Sequence, residues 1–258
     1  MRSELSGWRL STMRGLVMWM GAVTCASALA GEVKVAVAAN FTTAFQHIAA
    51  DFAKQTGHKA VVISGATGKF HAQIQQGAPF EVLLAADDET PRKLLSEGLA
   101  VKGTSFTYAI GKLVLWSPKP SFIDSKGVDL TQVDFSRLAL ANPKLAPYGA
   151  AAVEALKAMG AHEAVKDRMV LGENIGQAYQ FVATGNAELG FVALSQVAPP
   201  GKPASGGYWL VPQSLYQPLL QDAVLLNPGA HNAAANALLA YLRSGAAKAV
   251  IQSHGYGL

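Results

Sequence analysis

One junction recurs along this chain and limits what it can fold into. In Val35-Ala36-Val37-Ala38-Ala39-Asn40-Phe41-Thr42-Thr43 an apolar strand pattern passes into a helical one through small and hydroxyl residues. The first N–H groups of a helix have no partner inside the helix, and the macrodipole places its positive end there. Similar punctuation appears at Ile63-Ser64-Gly65-Ala66-Thr67-Gly68, at Ala146-Pro147-Tyr148-Gly149 and at Glu173-Asn174-Ile175-Gly176. Four such helix starts meeting in one cleft would hold a small oxyanion.

From residue 33 onward strand and helix signals alternate, which points to the α/β class rather than to runs of one element type. Strands are predicted at 33–38, 60–64 and 82–86; the last is apolar throughout, as a parallel strand buried on both faces is. Helices are predicted at 43–56, where Phe45, Ile48 and Phe52 share a face and Gly57 stops the run, at 70–76, and at 91–97, between Pro91 and Gly98. Residues 108–116 read as a longer strand, with a crossing between lobes placed near Gly111. The order then repeats, with strands at 137–141, 169–171 and 189–194 and helices at 149–159 and 176–184. A loop rich in Pro and Gly spans 198–207. Strands follow at 208–211 and 223–226, the latter returning beside 108–116, and helices at 233–242 and 246–254. If those last helices cap the first lobe, two lobes with two crossings result: 31–110 with 218–258, and 111–217. Each would be a mixed, mostly parallel sheet flanked by helices.

The first 30 residues stand apart. Arg2, Arg9 and Arg14 precede an uncharged run over 16–30 that ends in Ala28-Leu29-Ala30, a small-x-small pattern suited to signal peptidase. That run is shorter than the about 18 residues a membrane span needs. A secretory signal cleaved after Ala30 is the reading, with Met1 or Met13 as its start. Export implies a soluble protein of the bacterial periplasm. The only cysteine, Cys25, lies inside the signal, so the mature chain has no thiol for a disulfide, a nucleophile or a Cys–zinc site. The charged residues before Ala30 are Arg2, Glu4, Arg9 and Arg14, so cleavage lowers the formal charge from +4 to +2. A general polyanion binder would carry a larger, clustered basic surface.

Catalytic constellations are scarce. Gly65-Ala66-Thr67-Gly68-Lys69 lacks the spacing of a nucleotide phosphate loop. The six histidines show no i, i+4 pair of the kind that holds hydrolytic zinc. No Gly-x-Ser-x-Gly elbow is present. Tyr108, Tyr208 and Tyr216 have no neighbouring carboxylate or histidine to complete a ferric phenolate site. Asp87-Asp88-Glu89 reads two ways, as a carboxylate cluster for metal-assisted hydrolysis or as a helix cap, and the cap is favoured. Against this, Asn40, Thr67 and Tyr148 bring side-chain donors, and the backbones at Asn40, Thr67, Tyr148 and Ile175 have free N–H groups. None is charged. Each hydrogen bond from such a donor to a dianion contributes about 1.5–3 kcal/mol, and no arginine is left buried and unpaired when the site is empty.

At these residues the chain resembles the periplasmic molybdate-binding proteins of ABC importers, in particular the branch found in nitrogen-fixing bacteria. The matching stretches are Ala39-Asn40-Phe41, Gln55-Thr56-Gly57-His58, Ala72-Gln73-Ile74, Gly77-Ala78-Pro79, residues 106–116, Ala146-Pro147-Tyr148-Gly149, Gly176-Gln177-Ala178 and Leu189-Gly190-Phe191-Val192-Ala193-Leu194. The likeness spans essentially 33–258.

The resemblance implies a two-lobed periplasmic binding protein of the type II clamshell kind, closing on molybdate or tungstate without chemistry and without a cofactor. It implies delivery to a membrane permease with its ATPase, by a protein that works as a monomer. The oxyanion site it implies consists of Ala39, Asn40, Thr67, Tyr148 and Ile175. Where that branch has a threonine this chain has Ala39, leaving only a backbone N–H there, and Thr67 stands where serine is usual. A tyrosine that many members use in the second lobe is Ala193 here. The readings left beside this one are a carrier of another small oxyanion such as sulfate, a secreted metal-dependent hydrolase built on Asp87, Asp88 and Glu89, and a sensor domain.

Overall fold

The computed structural model describes residues 30–123 and 126–258. The signal expected at 1–30 therefore lies, apart from Ala30, outside the described residues.

The chain begins with β1 (Glu32–Ala38), one 3-10 turn (Ala39–Phe41) and α1 (Thr42–Thr56). There follow β2 (Lys59–Gly65), α2 (Thr67–Gln75), β3 (Val82–Leu84), α3 (Glu89–Ser96) and β4 (Phe106–Gly111). A second set comprises β5 (Leu113–Ser117), β6 (Leu138–Ala141), α4 (Pro147–Ala158), α5 (His162–Val165), β7 (Met169–Gly172), α6 (Ile175–Ala183), β8 (Leu189–Ala193), α7 (Leu194–Val197) and β9 (Gly207–Leu210). Last come β10 (Leu219–Leu225), α8 (Ala233–Leu242) and α9 (Gly245–Ser253). The strands form two mixed five-stranded sheets, ordered β2-β1-β3-β10-β4 and β7-β6-β8-β5-β9. In the first, β1 runs parallel to β2 and β3, while β10 is antiparallel to β3 and β4. In the second, β6 runs parallel to β7 and β8, and β5 is antiparallel to β8 and β9.

Each sheet is covered on both faces, which is why central strands such as β3 and β8 are buried and apolar throughout. Along β1 the alternation of strand side chains sends Val33, Val35 and Val37 to one face, against Phe41, Phe45, Ile48 and Phe52 and the helices α8 and α9. Ala36 goes to the other, with Phe70 and Ile74 of α2 and Leu94 of α3. Burying a Phe or Ile side chain contributes about 1.5–3 kcal/mol, so α1 is held by its inner face. Gly57 ends it in the left-handed conformation (φ 75°), with its N–H on the Ala53 carbonyl. In the second lobe Leu113, Leu115, Leu138, Leu140, Leu189 and Phe191 pack against α4 and α5.

Three expectations are corrected. The long strand at 108–116 is two strands, β4 and β5, separated at Lys112 and belonging to different sheets. The apolar run is continuous because both pieces are buried, so periodicity carried no sign of the break. The helix expected at 70–76 starts at Thr67; Ala66 is extended (φ −83°, ψ 138°) and the Gly68 N–H is held by the Leu145 carbonyl at 2.9 Å, a tertiary contact that outweighs the poor helix propensity of glycine. The strand expected at 223–226 starts at Leu219, because Gln221 and Asp222 are buried in it with partners of their own and a register shift lies between them.

Candidate functional site

All four junctions follow the C-terminal ends of parallel strands, the edge at which α/β sheets hold ligands. The 3-10 turn follows β1 and α2 follows β2 in the first lobe; α4 follows β6 and α6 follows β7 in the second. Ala39, Asn40, Thr67, Tyr148 and Ile175 line one small hollow between the lobes, with a cavity volume of about 10 Å³. Its remaining wall is Ala, Gly and Pro, with Asn174, and no charged side chain faces it. A larger cleft of about 510 Å³ opens beside it, lined by Asp87, Asp88, Glu89 and Glu154 as well as Lys93 and Lys144. That carboxylate-rich wall disfavours an anion.

Each helix start leaves specific donors open. Pro147 has no N–H, and Gly149 and Ala150 both donate to the Ala146 carbonyl, so the Tyr148 N–H is the open amide of α4. At α6, Asn174 caps the helix by accepting from the Gln177 N–H at 3.0 Å, and Gln196 holds the Ile175 carbonyl at 3.2 Å. Among the described residues the N–H groups of Ile175 and Gly176 have no partner. At α2 the Thr67 hydroxyl accepts from the Ala86 N–H at 3.0 Å. Among the described residues its own proton meets no acceptor, so Thr67 is a donor held in place by its acceptor side.

Two expected side-chain donors are engaged elsewhere. The Asn40 amide nitrogen donates to Gln221 Oε1 at 3.1 Å and lies 3.2 Å from the Tyr256 hydroxyl oxygen, so both its protons have partners. The Tyr148 phenol, 1% exposed, turns toward the crossing and accepts from Gln221 Nε2 at 3.2 Å and from the Lys112 backbone. The Asn40 carbonyl accepts from Tyr256 at 2.6 Å and from Ser195 of α7 at 3.1 Å. The Tyr108 hydroxyl lies 2.9 Å from the Ala85 carbonyl and 3.1 Å from Gln221 Oε1. Burial pushes the Tyr108, Tyr148 and Tyr256 phenols up, so all three stay protonated at neutral pH. Sequence reasoning missed Gln221, Tyr256, Ser195 and Tyr108 as parts of this layer. The signal open to it was a polar pair, Gln221-Asp222, inside an apolar run.

The lobes touch around the hollow. Besides the Gly68 to Leu145 bond, Lys69 of α2 pairs with Glu173, just before α6, at 2.6 Å with both side chains about half exposed. The Asp87-Asp88-Glu89 carboxylates do not converge. Asp87 accepts from the Thr90 N–H at 2.9 Å and from its hydroxyl, Asp88 pairs with Arg92, and Glu89 pairs with Lys93. The capping reading fits Asp87, which holds the Thr90 N–H at the start of α3, while Asp88 and Glu89 form ion pairs along the helix, and burial raises the Asp87 carboxyl above its ordinary range.

Residues 33–257 match the family model described as bacterial extracellular solute-binding protein. The chain belongs to that family. This solute-binding protein is 57% identical to the molybdate-binding protein ModA of Azotobacter vinelandii over 94% of its own length and 97% of the relative's. It is 52% identical to the ModA of Rhodobacter capsulatus over 89% of each chain. Among solved structures, a periplasmic molybdate-binding protein of Azotobacter vinelandii superposes with a TM-score of 0.85 at 40% identity, covering 88% of this chain and 99% of that one. Two lobes of the binding-protein fold, with no enzyme among these relatives, fit a protein that holds its solute without transforming it.

Proposed function

We propose that this protein captures molybdate or tungstate in the hollow between its lobes, in the periplasm, and delivers it to an ABC importer made of a permease and its ATPase. The observation that carries the reading is that Ala39, Asn40, Thr67, Tyr148 and Ile175, drawn from four helix starts on two sheets, line one hollow without a charged side chain. The ModA relatives support the choice of anion. In this reading the exported chain begins after Ala30 and acts as a monomer. One lobe comprises 31–110 with 218–258, and the other 111–217.

Selectivity follows from the donor set. The open amides of Tyr148, Ile175 and Gly176 and the Thr67 hydroxyl turn away protonated phosphate, whose own O–H would face another donor unpaired. Closure is stabilised because the anion touches both lobes at once. Calorimetric titration of the mature protein should show tight binding of molybdate and tungstate and little of sulfate or phosphate. The reverse ranking would make it a carrier of another oxyanion.

A further inference from the structure

We propose that Gln221 sets which way the Asn40 amide faces a bound oxyanion, and that the two amides turn over together when a tetrahedral dianion enters. The inference rests on the hollow being the anion site. Gln221 is fully buried in β10 and tied to both lobes: Oε1 accepts from Asn40 Nδ2 of the first, and Nε2 donates to the Tyr148 hydroxyl of the second. In this arrangement both Asn40 N–H groups are spent on the protein, while among the described residues Asn40 Oδ1 meets no donor, in a residue that lines the hollow. A bare carbonyl oxygen is the wrong group to offer a fully deprotonated oxyanion.

Turning the Asn40 amide over brings Nδ2 where Oδ1 was, and the surrounding groups can follow. Gln221, turned likewise, gives Nε2 to Asn40 Oδ1 and brings Oε1 to the Tyr148 phenol. That phenol's proton has no other acceptor among the described residues, and its oxygen still accepts from Lys112. The Tyr256 hydroxyl, which gives its proton to the Asn40 carbonyl at 2.6 Å, can turn it to Oδ1 only by giving up that bond, and Ser195, 3.1 Å away, then remains as the donor to the carbonyl. The Tyr108 proton stays on the Ala85 carbonyl at 2.9 Å, leaving the phenol oxygen to accept from Gln221. The Asn40 and Gln221 amides exchange donor and acceptor parts between the two arrangements, and an amide is the side chain that can take both. Gln221 is thus a positioning residue: it acts on the anion through Asn40.

The test uses 15N-labelled protein titrated with sodium molybdate, with the side-chain amide resonances assigned through Asn40→Asp and Gln221→Met. The expected result is that the Asn40 and Gln221 side-chain amides shift at saturation together with the backbone amides of Thr67 and Ile175. Gln221→Met is expected to lose about 10- to 100-fold in molybdate affinity and to lower the urea midpoint of the free protein, because an Asn40 N–H loses its acceptor. Backbone shifts without movement of the two side-chain amides would overturn this inference and leave the site standing. Binding by calorimetry with none of the four moving would overturn the site itself. Affinity of Gln221→Met within twofold of the parent would also overturn the inference. Should that variant not fold, the parent's resonances decide, together with Tyr148→Phe, which removes the far partner and is expected to weaken binding.

Discussion

The Tyr148 hydroxyl lies against the Cα of Gly111, where the chain crosses from one lobe to the other. A Cβ at Gly111 would collide with that hydroxyl and would come within 2.6 Å of Gln221 Nε2. Glycine is required here by close approach, since backbone and two buried side chains from both lobes meet at one point. Gly111→Ala is expected to oppose the fit between the lobes, at about 1–3 kcal/mol for a methyl forced into a packed site. Titration calorimetry should read this as a loss of about 5- to 100-fold in molybdate affinity. An unchanged dissociation constant would mean that the lobes bind the anion without bringing Tyr148 onto Gly111.

Lys69 and Glu173 make an ion pair between the lobes, one residue from each. Both side chains are about half exposed, so screening and side-chain entropy limit the pair to roughly 0.2–1 kcal/mol. A double-mutant cycle with Lys69→Ala and Glu173→Ala, read on the dissociation rate of molybdate, should return a coupling in that range that fades in 1 M salt. A coupling several times larger, or one indifferent to salt, would show that the pair is desolvated on closure.

The positions of these groups were legible in the sequence to different degrees, for physical reasons. The junctions at Asn40, Thr67, Tyr148 and Ile175 could be read because strand, small residues and helix follow one another locally, and the helix at 233–242 was placed to the residue. The break at Lys112 was hidden because an apolar run looks the same whether it crosses one sheet or two. Gln221 was hidden for the opposite reason. A polar residue in a strand is buried only when its partners are, and Asn40, Tyr108 and Tyr148 lie 181, 113 and 73 residues away. The four-residue helices α5 and α7 are too short for periodicity to show.

Thr67 separates two contributions that its hydroxyl makes at once, one to the fold and one to the anion. Thr67→Val keeps the shape but leaves the Ala86 N–H without its acceptor and removes the donor to the hollow. The unpaired N–H costs about 1–3 kcal/mol of stability, and losing a hydrogen bond to a dianion costs about 1.5–3 kcal/mol of binding. Thr67→Ser keeps both hydrogen-bonding roles and should stay within a few-fold of the parent in affinity. Equal affinities for the Val and Ser variants, measured by calorimetry, would remove the Thr67 hydroxyl from the site.

His254 ends α9 against α1, with its Nε2 2.9 Å from His47 Nδ1 and its own Nδ1 buried without a partner among the described residues. Burial, and then the neighbouring His47, hold the His254 imidazole below its ordinary pKa. The unfolded chain therefore binds this proton more readily than the folded one, and stability rises with pH across the interval between the two values. The loss on acidification begins near the unfolded value of about 6.5 and grows, by at most about 1.4 kcal/mol per pH unit, until the folded imidazole is protonated. Urea unfolding of the parent between pH 7 and pH 5 should show this fall, and His254→Gln should flatten it. Parallel curves for the two proteins would mean that His254 is protonated as easily in the fold as out of it. Two residues beyond His254, Tyr256 holds the Asn40 carbonyl, so the acid loosening of α9 should reach the anion: molybdate affinity of the parent is expected to fall over the same pH interval, and that of His254→Gln to fall less.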